Sequence, residues 1–573
     1  MEDQKAHFDI KERNLSRNRS LLTVGAFLLF LGARGVHAQI HDPRAIDADP
    51  RTASGPIAPR LAGLGDLHFP VTTQSEASQY FFDQGLRLTY AFNHSEALRS
   101  FKEAARIDSS NAMAYWGWAL VLGPNLNLAM RPEVVPQAYS AMQIALSLSE
   151  RVSEKERRMI DALAERYRAD PEAERVAMDE AYATVMRALL VEYPEDSDIA
   201  TLYAASLMNL SPWDYWYSDR TPKANTDEIV ATLESVIARE PNHVGALHYY
   251  IHAVEAHYPE WAEAGADRLG NLMPGAGHIV HMPSHIYMRV GRYADSYAAN
   301  IKASMADEAY ITQCRAQGLY PLAYYPHNVH FLAWSAMFMG RQSDAMEAAR
   351  KVAGKVPADL SSDAWLLYQT FLGQPLYTMV RFGLWSEVLA EPQPREDAMF
   401  LNAVWHYARG LAHANSGNRR QAMAELERLT AIQRDPATAA QFVGFNAMPT
   451  MLAMAEQILS GEIAVQRGRY DEAIAYLERA VRLEDTLTYN EPPDWYFPVR
   501  HYLGAVLLEA GYPAEAEVVY WQDLSKNPDN GFALFGLHQA LEAQEKVSQA
   551  AEIEARFERA WDQADTILSS SRF

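Results

Sequence analysis

A chain of 573 residues, 49% hydrophobic and 22% charged, carries enough apolar mass for a large core, which excludes a mostly disordered chain and a small disulfide-stapled scaffold. Its formal charge of −22, from 73 acidic and 51 basic residues, argues against a surface built on nucleic-acid phosphates or anionic lipid. The single cysteine, Cys314, excludes an intramolecular disulfide and any metal site that needs two thiolates, so a metal here must be held by nitrogen and oxygen.

Lys11, Arg13, Arg17 and Arg19 precede an apolar run from Leu21 to Leu31, and Val36-His37-Ala38 offers small residues at cleavage positions. Residues 1–38 therefore read as a signal peptide for export. The apolar run is about a dozen residues, short of the roughly 20 that a bilayer span requires, so no stable membrane insertion is expected after cleavage. Residues 39–75 carry Pro, Gly, Ala and Asp without periodicity and predict a flexible linker.

From residue 76 onward apolar residues recur at helical spacing, broken by short turns, and β-branched runs are nearly absent. The pattern predicts an all-α chain. Gly468-Arg469-Tyr470-Asp471-Glu472-Ala473, followed by Leu477 and Ala480 and preceded by Gly461, resembles the tetratricopeptide repeat, a 34-residue helix-turn-helix unit. The same frame fits Gly85, Ala97, Phe101 and Ala104, and again Gly504, Gly511, Ala516, Tyr520 and Pro528. Three more units are framed by Gly291, by Gly340 with Ala345, and by Gly410, Gly417 and Ala422. The resemblance implies a right-handed α-solenoid of antiparallel helix pairs. We divide it into helical repeats over 76–240, central His-rich repeats over 241–360 with an insertion near 310–325, and C-terminal repeats over 361–573. The stretches Tyr90-Ala91-Phe92-Asn93-His94, His281-Met282-Pro283-Ser284-His285-Ile286-Tyr287 and Glu491-Pro492-Pro493-Asp494-Trp495-Tyr496 are similar to signatures of exported bacterial repeat proteins. That similarity implies a periplasmic or secreted location and assigns no chemistry.

Nine of the 18 histidines fall between His243 and His330, about 15% of the chain, where roughly three are expected from composition alone. In the repeat frame that follows Pro241, His248 and His252 take positions 5 and 9 of a first helix and Glu255 position 12, all assigned by the resemblance to the concave groove. The next unit puts His278, His281 and His285 at positions 2, 5 and 9, and the one after puts His327 and His330 at positions 2 and 5. Pro283 predicts a helix start at that point, which would leave His281 in a loop. His501 takes a groove position in a distant unit, where it reads as a surface residue facing a ligand, and His406 and His413 take packing positions.

Residues four apart on a helix lie about 6 Å apart along its axis and close in angle, so two imidazoles can converge on one ion. His248, His252, His281, His285, His327 and His330 are the candidate metal ligands, with Glu255 orienting a ligand from behind and His278 an extra ligand or proton carrier. An imidazole-rich set suits a transition metal. Copper is favoured, iron and zinc are alternatives, and the scarcity of oxygen ligands argues against calcium or magnesium. No phosphate-binding Gly-rich loop, G-x-S-x-G elbow or H-E-x-x-H helix is present. The leading reading is a copper- or iron-dependent oxidoreductase built on an exported repeat scaffold. A scaffold whose groove takes a small molecule or peptide without catalysis, and a protein for metal storage or delivery, stay open. The sequence leaves oligomeric state open.

Overall fold

The structure, a computed structural model, describes residues 49–314, 316, 320–356 and 365–573, apart from the side chains of 365–367. The signal segment and the start of the expected linker lie outside the described residues. The chain divides into two compact units, one made of residues 39–339 with 526–528, the other of 340–525 with 529–573.

The first unit is a succession of antiparallel helices, each packed on its neighbour in sequence, beginning with Glu76–Tyr90 and His94–Ile107 and ending with Tyr325–Phe338. Short polar residues start many of them: Asn111 and Asp196 cap with their side chains, and Ser153 with Glu156 forms a reciprocal capping box. The repeat spacing acquires its physical meaning at Phe101, which is fully buried. Its ring fills the space where a Cβ on Gly85 or Gly117 would stand, so two glycines on flanking helices form the hole for one aromatic knob. The stretch read as a linker carries packed side chains: Ile57, Ala58, Leu64 and Phe69 are buried, and Gly275 N–H donates to Gly63 O at 2.8 Å. Gly63 sits at φ +74°, a left-handed backbone that glycine adopts without a steric penalty.

The helix Val244–Val254 is buried along its whole length, so it has no solvent face on which to put a polar residue. His243 caps it, its side chain accepting from Ala246 N–H at 3.1 Å. Pro283 does not push His281 into a loop. A short helix Gly277–His281 runs into Pro283–Arg289 through Met282, whose φ −50° and ψ −36° stay right-handed helical. Pro283 removes one N–H donor there without turning the chain, and His281 and His285 keep their spacing of one turn.

The second unit repeats the design. Helix Met448–Val465 packs on Tyr470–Glu484, with Gly461 against Leu477, and the buried Tyr520 fills the space beside Gly504 and Gly536 as Phe101 does in the first unit. A two-residue antiparallel pairing, Phe442–Val443 with Asn446–Ala447, interrupts the helices. His406 is buried against Glu425, Nδ1 to Oε2 2.6 Å. His501 is not a surface residue. It is fully buried with Nε2 2.8 Å from Asp523 Oδ2, because its helix is covered on the side the repeat frame leaves open. Among the described residues no helix is long and apolar enough to cross a membrane.

Candidate metal centre

Two sets of three imidazoles meet in the first unit. His248, His252 and His278 each place a ring nitrogen within 4.8 Å of the other two, and His281, His285 and His327 do the same. Helix Val244–Val254 supplies two members of the first set one turn apart, and the first residues of Gly277–His281 supply the third. The second set takes His281 and His285 from either side of Pro283 and His327 from the first turn of Tyr325–Phe338. Within the sets, Nε2 of His248 and His252 stand 3.1 Å apart, Nε2 of His281 and His285 3.0 Å, and Nε2 of His285 and His327 3.5 Å.

The other nitrogen of four of these rings is committed. His248 Nδ1 lies 2.6 Å from the carbonyl oxygen of Tyr90, which only accepts. His281 Nδ1 lies 2.7 Å from Asn300 Oδ1, and that amide is oriented by its own Nδ2, which donates to the Ser296 carbonyl and to Ser284 Oγ, both at 2.8 Å. Glu255 serves the other two: Oε1 is 3.3 Å from His252 Nδ1 and Oε2 is 3.0 Å from His285 Nδ1. All four Nδ1 atoms therefore carry hydrogen, and all four Nε2 atoms carry a bare lone pair. In both pairs one lone pair faces another at hydrogen-bonding distance with no proton available between them. Both ring nitrogens of the buried His278 are without a hydrogen-bond partner.

A proton shared within each pair would relieve the repulsion, but burial opposes it. Burial, reinforced by neighbouring imidazoles, holds His248, His278, His281 and His327 well below the usual histidine value. Burial also pushes His252 down, against the pull of Glu255. For Glu255, burial alone would raise the carboxyl, yet His285 and His252 outweigh it and hold the group below its ordinary value. A cation could take these lone pairs. Metal–nitrogen bonds of about 2.0 to 2.1 Å in tetrahedral geometry set ligand nitrogens about 3.3 Å apart, a value that the observed separations of 3.0, 3.1 and 3.5 Å bracket.

Aromatic residues enclose both sets. The Phe92 ring packs on His248 at 4.4 Å and stacks on His252 and His278 at 5.8 and 5.6 Å, while Trp213 meets the His252 ring edge-on at 5.0 Å. Phe92 and Trp213 both have positive φ, 55° and 63°, a strained backbone for a bulky residue that concentrates at functional positions. Phe331 covers the second set, with centroids 4.6 Å from His281 and His285 and 5.0 Å from His327. The insertion contributes Tyr324, whose ring lies 4.9 Å from His278, and Tyr320, whose hydroxyl accepts the His278 backbone N–H at 3.1 Å and donates to Asp307 at 2.8 Å. Asp307 also accepts from Asn328 at 2.7 Å, tying the helix that carries His327 to the turn that carries His278. Burial raises its carboxyl to about 7.

Of the residues singled out from the sequence, His248, His252, His281, His285 and His327 fall in the two sets. Glu255 stands behind both, and His278 completes the first. His330 is partly buried and belongs to neither set. The rings of His248, His252, His278, His281 and His285 are buried rather than spread along an open groove, and His327 is half-buried. Cys314 is buried and lies outside both sets. Sequence reasoning missed Tyr90, Phe92, Asn300 and Phe331. The stretch from Tyr90 to His94, similar to a signature of exported repeat proteins, sets the Tyr90 carbonyl and the Phe92 ring against His248.

A tetratricopeptide-repeat family model matches residues 457–486. No curated protein matches the chain. Among solved structures, the human IFIT1 dimer with m7Gppp-AAAA is 11% identical with a TM-score of 0.30, over 85% of this chain and 91% of that one. The APC/C hetero-tetramer Cut9-Hcn1 is 12% identical with a TM-score of 0.28, over 86% and 95%. The chain thus carries a tetratricopeptide repeat, at residues 457–486, within an all-α fold of successive helix pairs.

Proposed function

We propose that the first unit binds two transition-metal ions, one in each three-imidazole set, and that the protein is a copper- or iron-dependent oxidoreductase exported to the periplasm or beyond. The observation that carries this reading is the pair of Nε2 contacts, 3.1 Å in the first set and 3.0 Å in the second, between rings whose Nδ1 atoms are already bound to acceptors. A neutral, all-nitrogen donor set suits copper and iron, and also zinc. One feature favours redox chemistry over hydrolysis: Glu255 is occupied by two Nδ1–H donors and is not placed to act as a base toward water.

Elemental analysis of the untagged protein tests the reading. Two equivalents of metal are expected, falling to one in His248→Ala and to one in His281→Ala. Retention of both equivalents in both variants, or no metal in the wild type after exposure to copper, iron and zinc, would defeat it. Oxygen consumption with a reductant and a phenolic substrate then separates an enzyme from a storage or delivery protein.

A binding scaffold is the second reading. It is supported by a surface cavity of about 670 Å³ whose wall includes Trp216, Tyr250, Tyr258 and Trp261 with Asp227 and Glu234, a lining suited to a partner segment. An untagged protein that holds no metal would leave this reading in place of the first.

A further inference from the structure

The first imidazole set is buried, so a reactant has to cross protein to reach it. One cavity, of about 170 Å³, is lined by residues next in sequence to Phe92 and His278 and by Tyr320, which holds the His278 backbone. Its rim is exposed at Ala62, Ala309 and Gln313, and its inner wall is buried at Leu88, Ala91, Gly277 and Tyr320. Ala91 lies between Tyr90, whose carbonyl holds His248, and Phe92, whose ring packs on the same imidazole. Gly277 precedes His278, and the Tyr320 hydroxyl accepts the His278 N–H.

The lining is chemically selective. It contains no Asp, Glu, Lys, Arg or His. Its two phenols are engaged elsewhere, Tyr320 with Asp307 at 2.8 Å and Tyr310 with Asn93 and Glu96 at 3.3 and 3.2 Å. Alanine, glycine, leucine and proline supply most of the remaining wall, so the space offers C–H surface and no charge to compensate an ion. An apolar cavity of about 150 Å³ holds benzene or xenon, which sets the scale of what fits. One wall, Leu61 to Leu64, is the strap pinned by the hydrogen bond between Gly63 and Gly275.

We propose that this cavity is the access passage through which a small uncharged reactant, from dioxygen up to a single aromatic ring, reaches the first imidazole set. The inference rests on the metal-site reading and adds the class of molecule the site admits. Its test uses the full-length, metal-loaded protein and two variants that fill the passage, Ala306→Phe in the wall and Ala309→Phe at the exposed rim, the second chosen because an exposed helical position tolerates the larger side chain. Crystals pressurised with xenon are expected to show xenon in the wild-type cavity and none in the variants. Oxygen consumption with phenol as reductant is expected to fall at least tenfold in both variants, with metal content by elemental analysis unchanged. An empty wild-type cavity under xenon, or wild-type oxygen consumption in a fully metallated variant whose cavity is filled, would overturn the passage and leave the metal centre standing. Absence of metal from the wild type would bring down both, and elemental analysis reports that before xenon is applied.

Discussion

Glu255 and His285 are joined by a 3.0 Å contact between Oε2 and Nδ1, while the other oxygen of the same carboxylate faces His252 at 3.3 Å. One side chain therefore fixes the tautomer of a ring in each imidazole set. Replacing Glu255 with glutamine keeps one acceptor oxygen and turns an N–H₂ group toward the other Nδ1–H, so at least one ring loses its orientation. Removal of such an outer partner lowers metal affinity by roughly 10- to 100-fold. Chelator competition on Glu255→Gln is expected to show one weakened site, and Glu255→Ala two. Unchanged affinity at both sites in both variants would mean the carboxylate plays no part in holding the ligands.

Protons compete with folding at this centre, and would compete with a metal held there. The rings of His248, His278, His281 and His327 are held below the ordinary histidine value, mainly by burial. The unfolded chain thus takes up protons near pH 6.5 that the folded chain refuses, so stability is complete above that pH and declines as pH falls below it. Each such ring contributes up to about 1.4 kcal/mol per pH unit. The metal-free protein is expected to lose thermal stability steadily from pH 7 to 5, and His278→Gln to lose less over the same interval. A Tm that stays level or rises on acidification would contradict the burial of neutral imidazoles.

Packing at the glycine holes sets the stability of the first unit. Phe101 is fully buried between Gly85 and Gly117, and truncation of a buried phenylalanine costs about 3 to 5 kcal/mol. Phe101→Ala is expected to shift the urea transition of that unit to lower concentration by a corresponding amount. A change of a few tenths would show that the helices collapse onto the vacated space.

The repeat array is legible in the sequence because glycine and large apolar residues recur at a fixed period, and the helix pairs they predict are present wherever the frame was strong. Half of the site is legible for a similar reason: His248 with His252 and His281 with His285 are one helical turn apart, a spacing that brings rings together whatever the rest of the fold does. The grouping into sets is a different matter. It depends on where separate helices approach, and His278 pairs with His248 rather than with its own near neighbours His281 and His285 because the chain turns through Gly277 against Asp307. The supports are less legible still. Tyr90 lies 158 positions from the imidazole it holds, and a backbone carbonyl leaves no mark on residue type. Pro283 does start a helix, Pro283–Arg289, but the rule says nothing of the residues before it, where the short helix Gly277–His281 keeps His281 out of a loop.

The sequence reading and the structure differ most usefully at His278 and His330, and metal content decides between them. The repeat frame puts both at groove positions, and of the two His330 is the expected ligand and His278 an extra ligand or proton carrier. In the structure His278 completes the first set with two unpartnered ring nitrogens, whereas His330 stands outside both sets. Three imidazoles make a site and two make a much weaker one, because each lost ligand exposes a coordination position to water. His278→Ala is therefore expected to hold one equivalent of metal after dialysis against a chelator, and His330→Ala to hold two. Loss of an equivalent in His330→Ala with full retention in His278→Ala would show that the first turn of Tyr325–Phe338 delivers its ligands as the sequence spacing implies, and that the two sets are partitioned differently from the arrangement described.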